Sequence, residues 1–526
     1  MPGSENNSSG RVCLVGAGPG DEGLITVRGE QMLRRADVVI YDALANPRLL
    51  QHVRSQAERI PISPDGGRPK LTQDQINGLL HQRASSGLFV VRLKGGDPYM
   101  FGRGAEEITY LGDRGIACEV VPGVTAGLAV PMAAGIPLTR RDLASTVTFA
   151  TGHEDATKGQ TSIDYRAFAA LIRAGGTGCI YMGAGRNGAI AEQLQRHGLP
   201  ANTPVVAIQW GFTPRQRSVR TTLAATAATI EKTGLGPPMI IVIGRVAAIN
   251  DPSLDFYARR PLFTKRIIVT RTRHQASHLY QLLTELGADV LEAPTIKLQP
   301  PGNFAPIDKA IRNIDQYDWL IFTSVNGVEA LAERLATLKL DSRHLAGPQI
   351  AVIGDTTASA LMQNLAIRAD LMPKGFVGEE LAEALIAQHD IRGSRFLMLR
   401  ADIARPALRQ RLGDAGAVVD DLAIYETKPP VALPNDVLTA LGKGNVDWIT
   451  FTSSSTVRNT IELLGPEAGL LKRVKIASIG PITSATVRRL GFDVSVEAGT
   501  SSLDGLITAM VEEESRSENR QPKPDS

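Results

Sequence analysis

The sequence predicts an α/β protein with several domains and mainly parallel sheets, and three observations lead to this fold class. The chain has 526 residues, more than one hydrophobic core accommodates, so about two to four domains are expected. Short apolar runs alternate with amphipathic stretches, a pattern typical of alternating strands and helices. The second half also repeats itself, which indicates two related α/β domains.

The composition excludes several classes of protein. Apolar residues make up 43% and charged residues 21% of the chain, which excludes wholesale disorder, a collagen-like fibre and a coiled coil. The longest apolar candidate for a membrane span, residues 238–249, is interrupted by Gly244 and Arg245. The N-terminus is polar and lacks the apolar region of a secretory signal. A net charge of +3 gives no indication of nucleic-acid binding, so neither a nucleic acid nor a membrane is expected as a partner.

The three cysteines are interpreted as reduced core residues of a cytoplasmic protein. Cys13, Cys118 and Cys179 lie in apolar, strand-like runs and lack the spacing of metal ligands. No metal site is therefore predicted.

The strands expected in the first half are short apolar runs. They are RVCLVG (11–16), DVVIY (37–41), LFVVRL (88–93), GCIYM (178–182), PVVAI (204–208) and MIIVIG (239–244). One helix start is explicit, because Thr72 and Gln75 have the spacing of a capping box.

Composition also suggests the domain boundaries. Residues 1–10 and 512–526 are polar and are predicted to be disordered. Proline and charge interrupt the alternation at 251–264, which is predicted to link a domain at 11–250 to a second region at 265–511.

The second region contains an internal repeat with a shift of 129 residues. KRIIVTRTR begins at residue 265 and SRFLMLRAD at residue 394. DWLIFTSVNGV, from residue 318, matches DWITFTSSSTV, from residue 447, with the same shift. Two related α/β domains with a cleft between them are therefore predicted.

Glycine-rich segments follow the predicted strands of the first half. VGAGPGD (15–21) is close to a dinucleotide-binding fingerprint, but Asp21 replaces the third glycine, where its carboxylate would oppose a pyrophosphate. A simple tight turn is the other interpretation. RLKGGDPYMFGRGAEE (92–107) follows a buried strand at the end where open α/β sheets bind ligands. Further segments of this kind are VPGVTAG (121–127), AGIPLTRRD (134–142), TGHE (151–154), YMG (181–183) and QWGFTPRQR (209–217).

Together, in this order, these segments resemble the uroporphyrinogen-III C-methyltransferases of the tetrapyrrole methylase family over residues 11–250. The resemblance implies two α/β lobes, S-adenosylmethionine as methyl donor, two methylations of uroporphyrinogen III to precorrin-2, and usually a homodimer. The cofactor-binding residues that it implies are Pro19, Gly95, Gly96, Asp97, Met100, Thr125, Ala126, Met182 and Gly211. The Asp97 carboxylate would lie near the sulfonium.

Proton transfer is assigned only in part by this resemblance. Asp42 matches the proposed proton acceptor of the family, although a helix cap or turn aspartate is the alternative. The family's proton-donating lysine is replaced by Pro64. Arg68 or Lys70 could reach the same region, so the donor is unassigned and a slow or missing second methylation is possible.

Three arginines are candidates for binding substrate carboxylates. Arg103, Arg140 and Arg141 could each pair with a carboxylate through two hydrogen bonds. Solvated loop charges are the alternative interpretation.

Hydroxyl side chains follow several predicted strands of the second half, in the motifs FTS at 322–324, FTSSS at 451–455 and two Gly-x-x-Thr segments. With the AIYET segment around Tyr425, they resemble the uroporphyrinogen-III synthases, whose chain crosses twice between two domains. The resemblance implies cyclisation of hydroxymethylbilane, with Tyr425 as a general acid; a tyrosine without a proton role is the alternative. Its implied substrate-binding residues are Thr323, Ser324, Thr452, Ser453 and Thr483, which could instead cap helices.

The sequence therefore predicts a fused bifunctional enzyme of sirohaem or cobalamin synthesis, acting on small tetrapyrroles and dimeric through its methyltransferase half. The alternative is a methylase for another corrinoid intermediate, followed by a non-catalytic module that binds tetrapyrroles.

Overall fold

The computed structural model describes residues 10–63, 71–152, 163–270, 273–373, 375, 378–388, 390–404 and 406–520. The chain separates into two compact units. The first comprises Met1–Ile267, Tyr280–Val290 and Met510–Ser526, and the second comprises Ile268–Leu279 and Leu291–Ala509.

The first sheet is parallel throughout. Its strands are β1 (Arg11–Gly16), β2 (Val38–Tyr41), β3 (Glu58–Pro61), β4 (Phe89–Lys94) and β5 (Ala117–Val121). They lie in the order β3-β2-β4-β1-β5, and each neighbouring pair is parallel. All five strands therefore end at the same edge of the sheet, as predicted for a ligand-binding α/β lobe.

Helices cover both faces of this sheet, which explains why its central strands are apolar without alternation. The helices are α1 (Val27–Arg35), α2 (Gln73–Ser85) and α3 (Gly104–Gly112), whereas α4 (Ala126–Ala133), which follows β5, packs against the second sheet of this unit. Cys13 and Val15 pack in one hydrophobic cluster and Val12 and Leu14 in another, so alternate residues of β1 face opposite sides.

Helix α2 begins where the sequence predicted. The Gln75 backbone N–H donates to Thr72 Oγ1 over 3.3 Å, and the Thr72 backbone N–H donates to Gln75 Oε1 over 2.9 Å. The predicted capping box is thereby confirmed.

The second sheet is mixed, whereas the sheets of the described chain as a whole are mainly parallel, as predicted. Its strands are β6 (Val147–Thr151), β7 (Thr177–Tyr181), β8 (Pro204–Gln209), β9 (Arg217–Thr222) and β10 (Met239–Ile243), in the order β6-β7-β10-β8-β9. Only β6 and β7 pair in parallel. The connection between β8 and β9 is too short for a parallel crossover, so the two strands are antiparallel. Its helices are α5 (Tyr165–Arg173), α6 (Asn187–Arg196) and α7 (Thr226–Thr233).

The segment predicted as a linker is packed against the first unit. Tyr257 is 2% and Leu262 0% exposed. The Tyr257 ring lies 5.2 Å from that of Phe212 and 5.8 Å from that of Phe263. Aromatic side chains between the prolines bury this segment, although its proline and charge content resembles that of a solvated linker.

The repeat in the second half is visible as repeated structure. The strands and helices here are β11 (Arg266–Val269), α8 (Arg273–Glu285), β12 (Asp289–Glu292), β13 (Lys297–Gln299), α9 (Ala305–Arg312), β14 (Trp319–Phe322), α10 (Val325–Thr337), β15 (Gln349–Val352), α11 (Asp355–Leu365), α12 (Gly378–Gln388), β16 (Arg395–Ala401), α13 (Ala407–Asp414), β17 (Val418–Lys428), α14 (Asn435–Gly442), β18 (Trp448–Phe451), α15 (Ser454–Leu464), β19 (Lys475–Ser478), α16 (Pro481–Arg489), β20 (Val496–Glu497) and α17 (Leu503–Arg520). The pairs β11 and β16, β14 and β18, and α10 and α15 keep the shift of 129 residues.

The two sheets exchange strands between the repeats. One sheet has the order β12-β11-β18-β19-β20 and the other β13-β17-β16-β14-β15. Each sheet therefore combines strands from both sequence repeats, and the chain passes between the sheets after β12 and again after β17. This agrees with the double crossing that the synthase resemblance implied.

The predicted disorder of the tail is wrong up to residue 520. Helix α17 continues through the acidic run, and Lys265 Nζ lies 2.7 Å from Glu514 Oε2, whose side chain is only 4% exposed. Glutamate and arginine favour helix, and the tail's prolines occur only after Arg520. Residues 521–526 and 1–9 lie outside the described residues.

The cysteines are unpaired, as predicted. Cys13 and Cys179 are fully buried, and burial raises the pKa of each thiol to about 12. Among the residues that the structure describes, no helix is long and apolar enough to cross a bilayer.

Replacing Tyr257 by alanine tests the packed segment. We expect Tyr257→Ala to lower the free energy of unfolding by about 3–5 kcal/mol, because it empties a buried aromatic site. Phe256→Ala is the matched control, since Phe256 is 48% exposed and should cost much less. Urea-induced unfolding followed by circular dichroism measures both. Equal losses for the two variants would show that Tyr257 does not anchor the segment.

Candidate functional site

The loops at the carboxyl edge of the first sheet form the centre of the candidate site. The loop after β1 contains Pro19, the loop after β4 contains Gly95 and Gly96, and the segment after β5 leads through Thr125 into α4. Gly18 and Gly96 form a two-residue bridge, with backbone N–H to O distances of 3.2 and 2.8 Å. The structure thus brings together predicted cofactor-binding residues that are far apart in sequence.

Glycine is required where these loops meet. A Cβ atom on Gly123 would lie 2.2 Å from the carbonyl oxygen of Gly96, and one on Gly16 would lie 2.5 Å from the Cα of Gly123. No side chain fits either position without moving backbone. The three loops consequently present bare backbone at the strand ends.

Asp97 ties these loops together. Its Oδ1 accepts hydrogen bonds from the backbone N–H groups of Tyr99 (2.8 Å) and Met100 (3.1 Å). Its Oδ2 accepts a hydrogen bond of 3.0 Å from the Gly123 backbone N–H. The carboxylate therefore fixes the shape of the loop that contains Gly95, Gly96 and Met100.

The second lobe contributes Tyr181, Met182 and Gly211. The Tyr181 hydroxyl lies 2.6 Å from Thr125 Oγ1 and accepts a hydrogen bond of 2.6 Å from the Gly127 N–H, at the start of α4. Burial raises the pKa of this hydroxyl. Gly211 lies against Val130 of α4, where a Cβ would be 2.4 Å from Cγ1. The second lobe therefore contacts the start of α4 through Tyr181 and its middle through Gly211, and Ala126 lies at its first turn.

Several residues around these loops have left-handed backbone conformations. Met182, Trp210 and Phe101 have φ angles of 52°, 51° and 54°. Such conformations are costly for residues with side chains and are found most often at functional sites. Met182 is also 49% exposed, so its side chain remains accessible.

Asp42 opens a turn, because its carbonyl accepts a hydrogen bond of 3.1 Å from the Ala45 N–H, but its carboxylate has other partners and does not cap the following 3₁₀ helix. Its Oδ1 accepts a hydrogen bond of 2.5 Å from Arg92 Nη2, and its Oδ2 accepts one of 3.3 Å from the Gly95 N–H. Arg92 also contacts Glu107, which accepts from Lys94 Nζ over 2.9 Å. Burial lowers the pKa of Lys94.

The predicted carboxylate-binding arginines are on the surface. Arg103 has a left-handed backbone (φ 59°) at the start of α3 and pairs with Glu106 at 2.5 Å, both side chains being more than half exposed. Arg140 and Arg141 are exposed next to the Arg140–Ala144 bridge. Pro64, Arg68, Lys70 and residues 153–154 of the TGHE segment lie outside the described residues.

The glycine-rich turn after β1 does not open a helix directly. Asp21 accepts a hydrogen bond of 2.8 Å from the Gly23 N–H and begins a short 3₁₀ helix, Glu22–Leu24, ahead of α1. A dinucleotide fingerprint would lead straight into the helix N-terminus that binds pyrophosphate, so the dinucleotide interpretation is not supported.

In the second unit, a β-bulge orients Tyr425. Arg400 is paired with Ala423 and Ala401 with Tyr425, so Ile424 is an extra residue in β17. Ile424 and Tyr425 then both pack in the same hydrophobic cluster, although neighbouring strand residues normally point to opposite faces. The Tyr425 hydroxyl lies 3.1 Å from Ser324 Oγ.

The other hydroxyls of this unit lie at strand ends and helix starts. Thr323 and Ser324 follow β14, and Thr452 and Ser453 follow β18. Ser324 and Ser453 cap α10 and α15, each accepting a backbone N–H at 3.3 Å. Thr483 lies in α16 and is 5% exposed. The capping interpretation therefore holds for the two serines, and capping leaves their protons available to donate.

Sequence reasoning missed the residues that support the site. Tyr181 stands next to the predicted Met182, and only the fold brings it to α4. Arg92, Lys94 and Glu107 did leave a signal, since two basic residues within an apolar strand indicate buried ion pairs. Within the described ranges, no group of three or more His, Cys, Asp or Glu side chains is arranged to hold a metal ion.

Two family models match the chain. The model for tetrapyrrole (corrin/porphyrin) methylases matches residues 11–227, and that for uroporphyrinogen-III synthase HemD matches residues 277–508. A solved structure of uroporphyrin-III C-methyltransferase from Thermus thermophilus, complexed with S-adenyl homocysteine, is 38% identical with a TM-score of 0.38, covering 45% of this chain and 98% of that one.

The similar proteins cover from about half to nearly all of the chain. The S-adenosyl-L-methionine-dependent uroporphyrinogen III methyltransferase of Methanosarcina barkeri is 43% identical over 46% of this chain and 94% of its own. The uroporphyrinogen-III C-methyltransferase of Bacillus subtilis is 38% identical over 64% of this chain and 68% of its own. The porphyrin biosynthesis protein HemD of Ruminiclostridium josui is 33% identical over 96% of this chain and 98% of its own. The chain therefore belongs to the family of bifunctional tetrapyrrole biosynthesis enzymes in which a tetrapyrrole methylase is fused to a uroporphyrinogen-III synthase.

Proposed function

We propose that this chain makes uroporphyrinogen III from hydroxymethylbilane with residues 265–511 and methylates it twice to precorrin-2 with residues 11–250. The observation that carries the proposal is the end-to-end match to a relative with the same two halves. A synthase and a methylase in one chain share an intermediate, because the product of one reaction is the substrate of the other.

The loops at the carboxyl edge of the first sheet suit a methyl donor of the S-adenosylmethionine type. The groups exposed around Gly96 and Gly123 are backbone atoms, and Met182 adds an exposed thioether side chain. Backbone carbonyl oxygens suit a sulfonium cation, whereas the Asp21 carboxylate in the turn after β1 would oppose a pyrophosphate. In the proposed site, Pro19, Gly95, Gly96, Met100, Thr125, Ala126, Met182 and Gly211 hold the donor, and Asp97 keeps their loops in place. The donor supplies an activated methyl group when bound.

The protein's own residues orient the substrate carbon and accept its proton. Asp42 stands at the end of β2 next to Gly95 and retains 23% exposure of its side chain. In our proposal it accepts the proton that the methylated carbon releases. Arg140 and Arg141 are exposed and so suited to pair with carboxylates of the tetrapyrrole, whereas Arg103 would first have to leave Glu106.

In the synthase half, Tyr425 protonates the departing hydroxyl, which leaves as water. A pyrrole carbon attacks the resulting azafulvene, ring D inverts through a spiro intermediate, and the proton lost from carbon on closure returns to the tyrosinate. Ser324 accepts a backbone N–H through its oxygen, so its proton can be donated to the phenolic oxygen. Tyr425 thereby keeps its own proton for the substrate. Thr323, Thr452, Ser453 and Thr483 contribute hydroxyls and nearby backbone N–H groups for substrate carboxylates.

We also propose a cytoplasmic homodimer that supplies sirohaem or cobalamin synthesis. Leu128 and Met132 lie one turn apart on α4 and are 49% and 51% exposed. A second copy of the chain would bury this apolar face. Three unpaired thiols are consistent with a reducing compartment.

A coupled assay tests the two activities together. Purified full chain given hydroxymethylbilane and S-adenosylmethionine should form a dimethylated type III product, identified by mass spectrometry. A single methyl group would show that the second methylation is lost. A mostly type I product would contradict the synthase assignment. A methylated corrinoid formed only from another intermediate would favour the alternative substrate.

Substitutions at Tyr425 and at two serines test the proposed general acid. Tyr425→Phe and Ser324→Ala should both lower kcat for ring closure, by about 10-fold or more, because each removes part of the proton donor. Ser453→Ala matches Ser324→Ala in the helix cap lost, about 1 kcal/mol, but Ser453 bonds Ser455 instead of a tyrosine. It should raise KM rather than lower kcat. Equal effects on kcat from the two serine variants would contradict the role of Ser324.

A further inference from the structure

A cluster of four charged side chains lies under the carboxyl edge of the first sheet. Arg92 and Lys94 are in β4, Glu107 is in α3, and Asp42 follows β2. The side chains of Arg92, Lys94 and Glu107 are 3%, 4% and 0% exposed, while that of Asp42 is 23% exposed. The cluster is neutral overall, with two cations and two carboxylates.

Burial of this cluster is not explained by stability. Removing paired charges from water costs several kcal/mol per ion, and apolar replacements are often neutral or stabilising. Glu107 Oε2 is buried without a hydrogen-bond partner in the described part of the chain. An arrangement optimised for stability alone would not leave a carboxylate oxygen unsatisfied.

The contacts form a chain that ends at Asp42. Glu107 Oε1 accepts from Lys94 Nζ (2.9 Å), from Arg92 Nε (3.4 Å) and from the side-chain amide of Gln73 (3.2 Å). Arg92 Nη1 donates to the Leu93 carbonyl over 3.1 Å. The guanidinium is thus fixed on two sides, and its remaining Nη2 holds Asp42 Oδ1 at 2.5 Å.

We propose that Glu107 and Lys94 are positioning residues for methyl transfer, acting through Arg92 on the Asp42 carboxylate. The inference rests on the proposed function, in which Asp42 accepts the proton from the methylated carbon. Glu107 orients the guanidinium of Arg92, and Lys94 balances the charge of Glu107. The Asp42 carboxylate is then held in one orientation, in which Oδ2 accepts a hydrogen bond from the N–H of Gly95, in the loop after β4.

The test replaces the buried pair without leaving an unpaired charge. In the full chain, Glu107→Met combined with Lys94→Met keeps the cluster neutral, and its melting temperature should stay near that of wild type. We expect kcat for methyl transfer to fall about 10- to 100-fold, because a small misplacement of a catalytic group has an effect of that size. The KM for S-adenosylmethionine should remain near its wild-type value. Uroporphyrinogen III formation by the same molecules checks that the synthase half is intact, while the melting temperature and the KM for S-adenosylmethionine check the methylase half.

A matched control removes an exposed ion pair of the same lobe. Glu58 and Arg83 join β3 to α2 and are 45% and 27% exposed. Glu58→Gln with Arg83→Met should leave both activities unchanged. Wild-type kcat in the Glu107/Lys94 double variant would overturn the proposal and make the cluster merely structural.

A second variant covers the case in which the double variant does not fold. Arg92→Lys keeps every charge, but an ammonium cannot reproduce the planar fork that spans two carboxylates. It should lower kcat while the synthase activity persists, and an unchanged kcat would overturn the proposal. Absence of methylated product from wild-type protein would instead overturn the proposed function of this half, and is seen before any substitution is made.

Discussion

The close approach of three backbone loops at the carboxyl edge of the first sheet is the constraint on which the candidate methylase site depends. Parallel pairing brings the ends of β1, β4 and β5 to one edge, and glycine at positions 16 and 123 lets their loops touch. Asp97 then joins two of them through backbone N–H groups. The loops thus form a surface of bare backbone that a ligand can approach closely.

The two halves differ in whether charged side chains or hydroxyls are proposed to act on the substrate. The methylase half buries Arg92, Lys94 and Glu107 next to Asp42, its proposed proton acceptor. In the synthase half, the groups proposed to act on substrate are hydroxyls, and Tyr425 is paired with the capping residue of α10. This difference fits the two reactions. Asp42 is proposed to accept a proton, whereas Tyr425 is proposed to assist the departure of a hydroxyl while the substrate is held in a folded conformation.

The internal repeat of the second half does not correspond to its sheets. Strands β11 and β12 of the first repeat join β18 to β20 of the second, while β14 and β15 join β16 and β17. Each sheet therefore requires both repeats, so a break in the chain between the repeats would leave two incomplete sheets. Ser324 and Ser453 cap α10 and α15 at equivalent positions of the repeat. Of the two, Ser324 lies next to the hydroxyl of a tyrosine, whereas Ser453 lies next to that of Ser455.

The sequence by itself determined the α/β class, both family memberships, the repeat and the central strands. In the first unit, the apolar runs correspond to β1, β2 and β4 of one sheet and β7, β8 and β10 of the other, which are the inner three strands of each. The edge strands were not recognised, because a strand with one exposed side is more polar, as in RSVRTT of β9. Only the tertiary structure decided the burial of the 251–264 segment, the helix through Arg520, the contact of Tyr181 with α4 and the link from Glu107 to Asp42. Each of these depends on partners distant in sequence, and local composition carries no information about which distant side chain will supply the missing hydrogen bond or counter-charge.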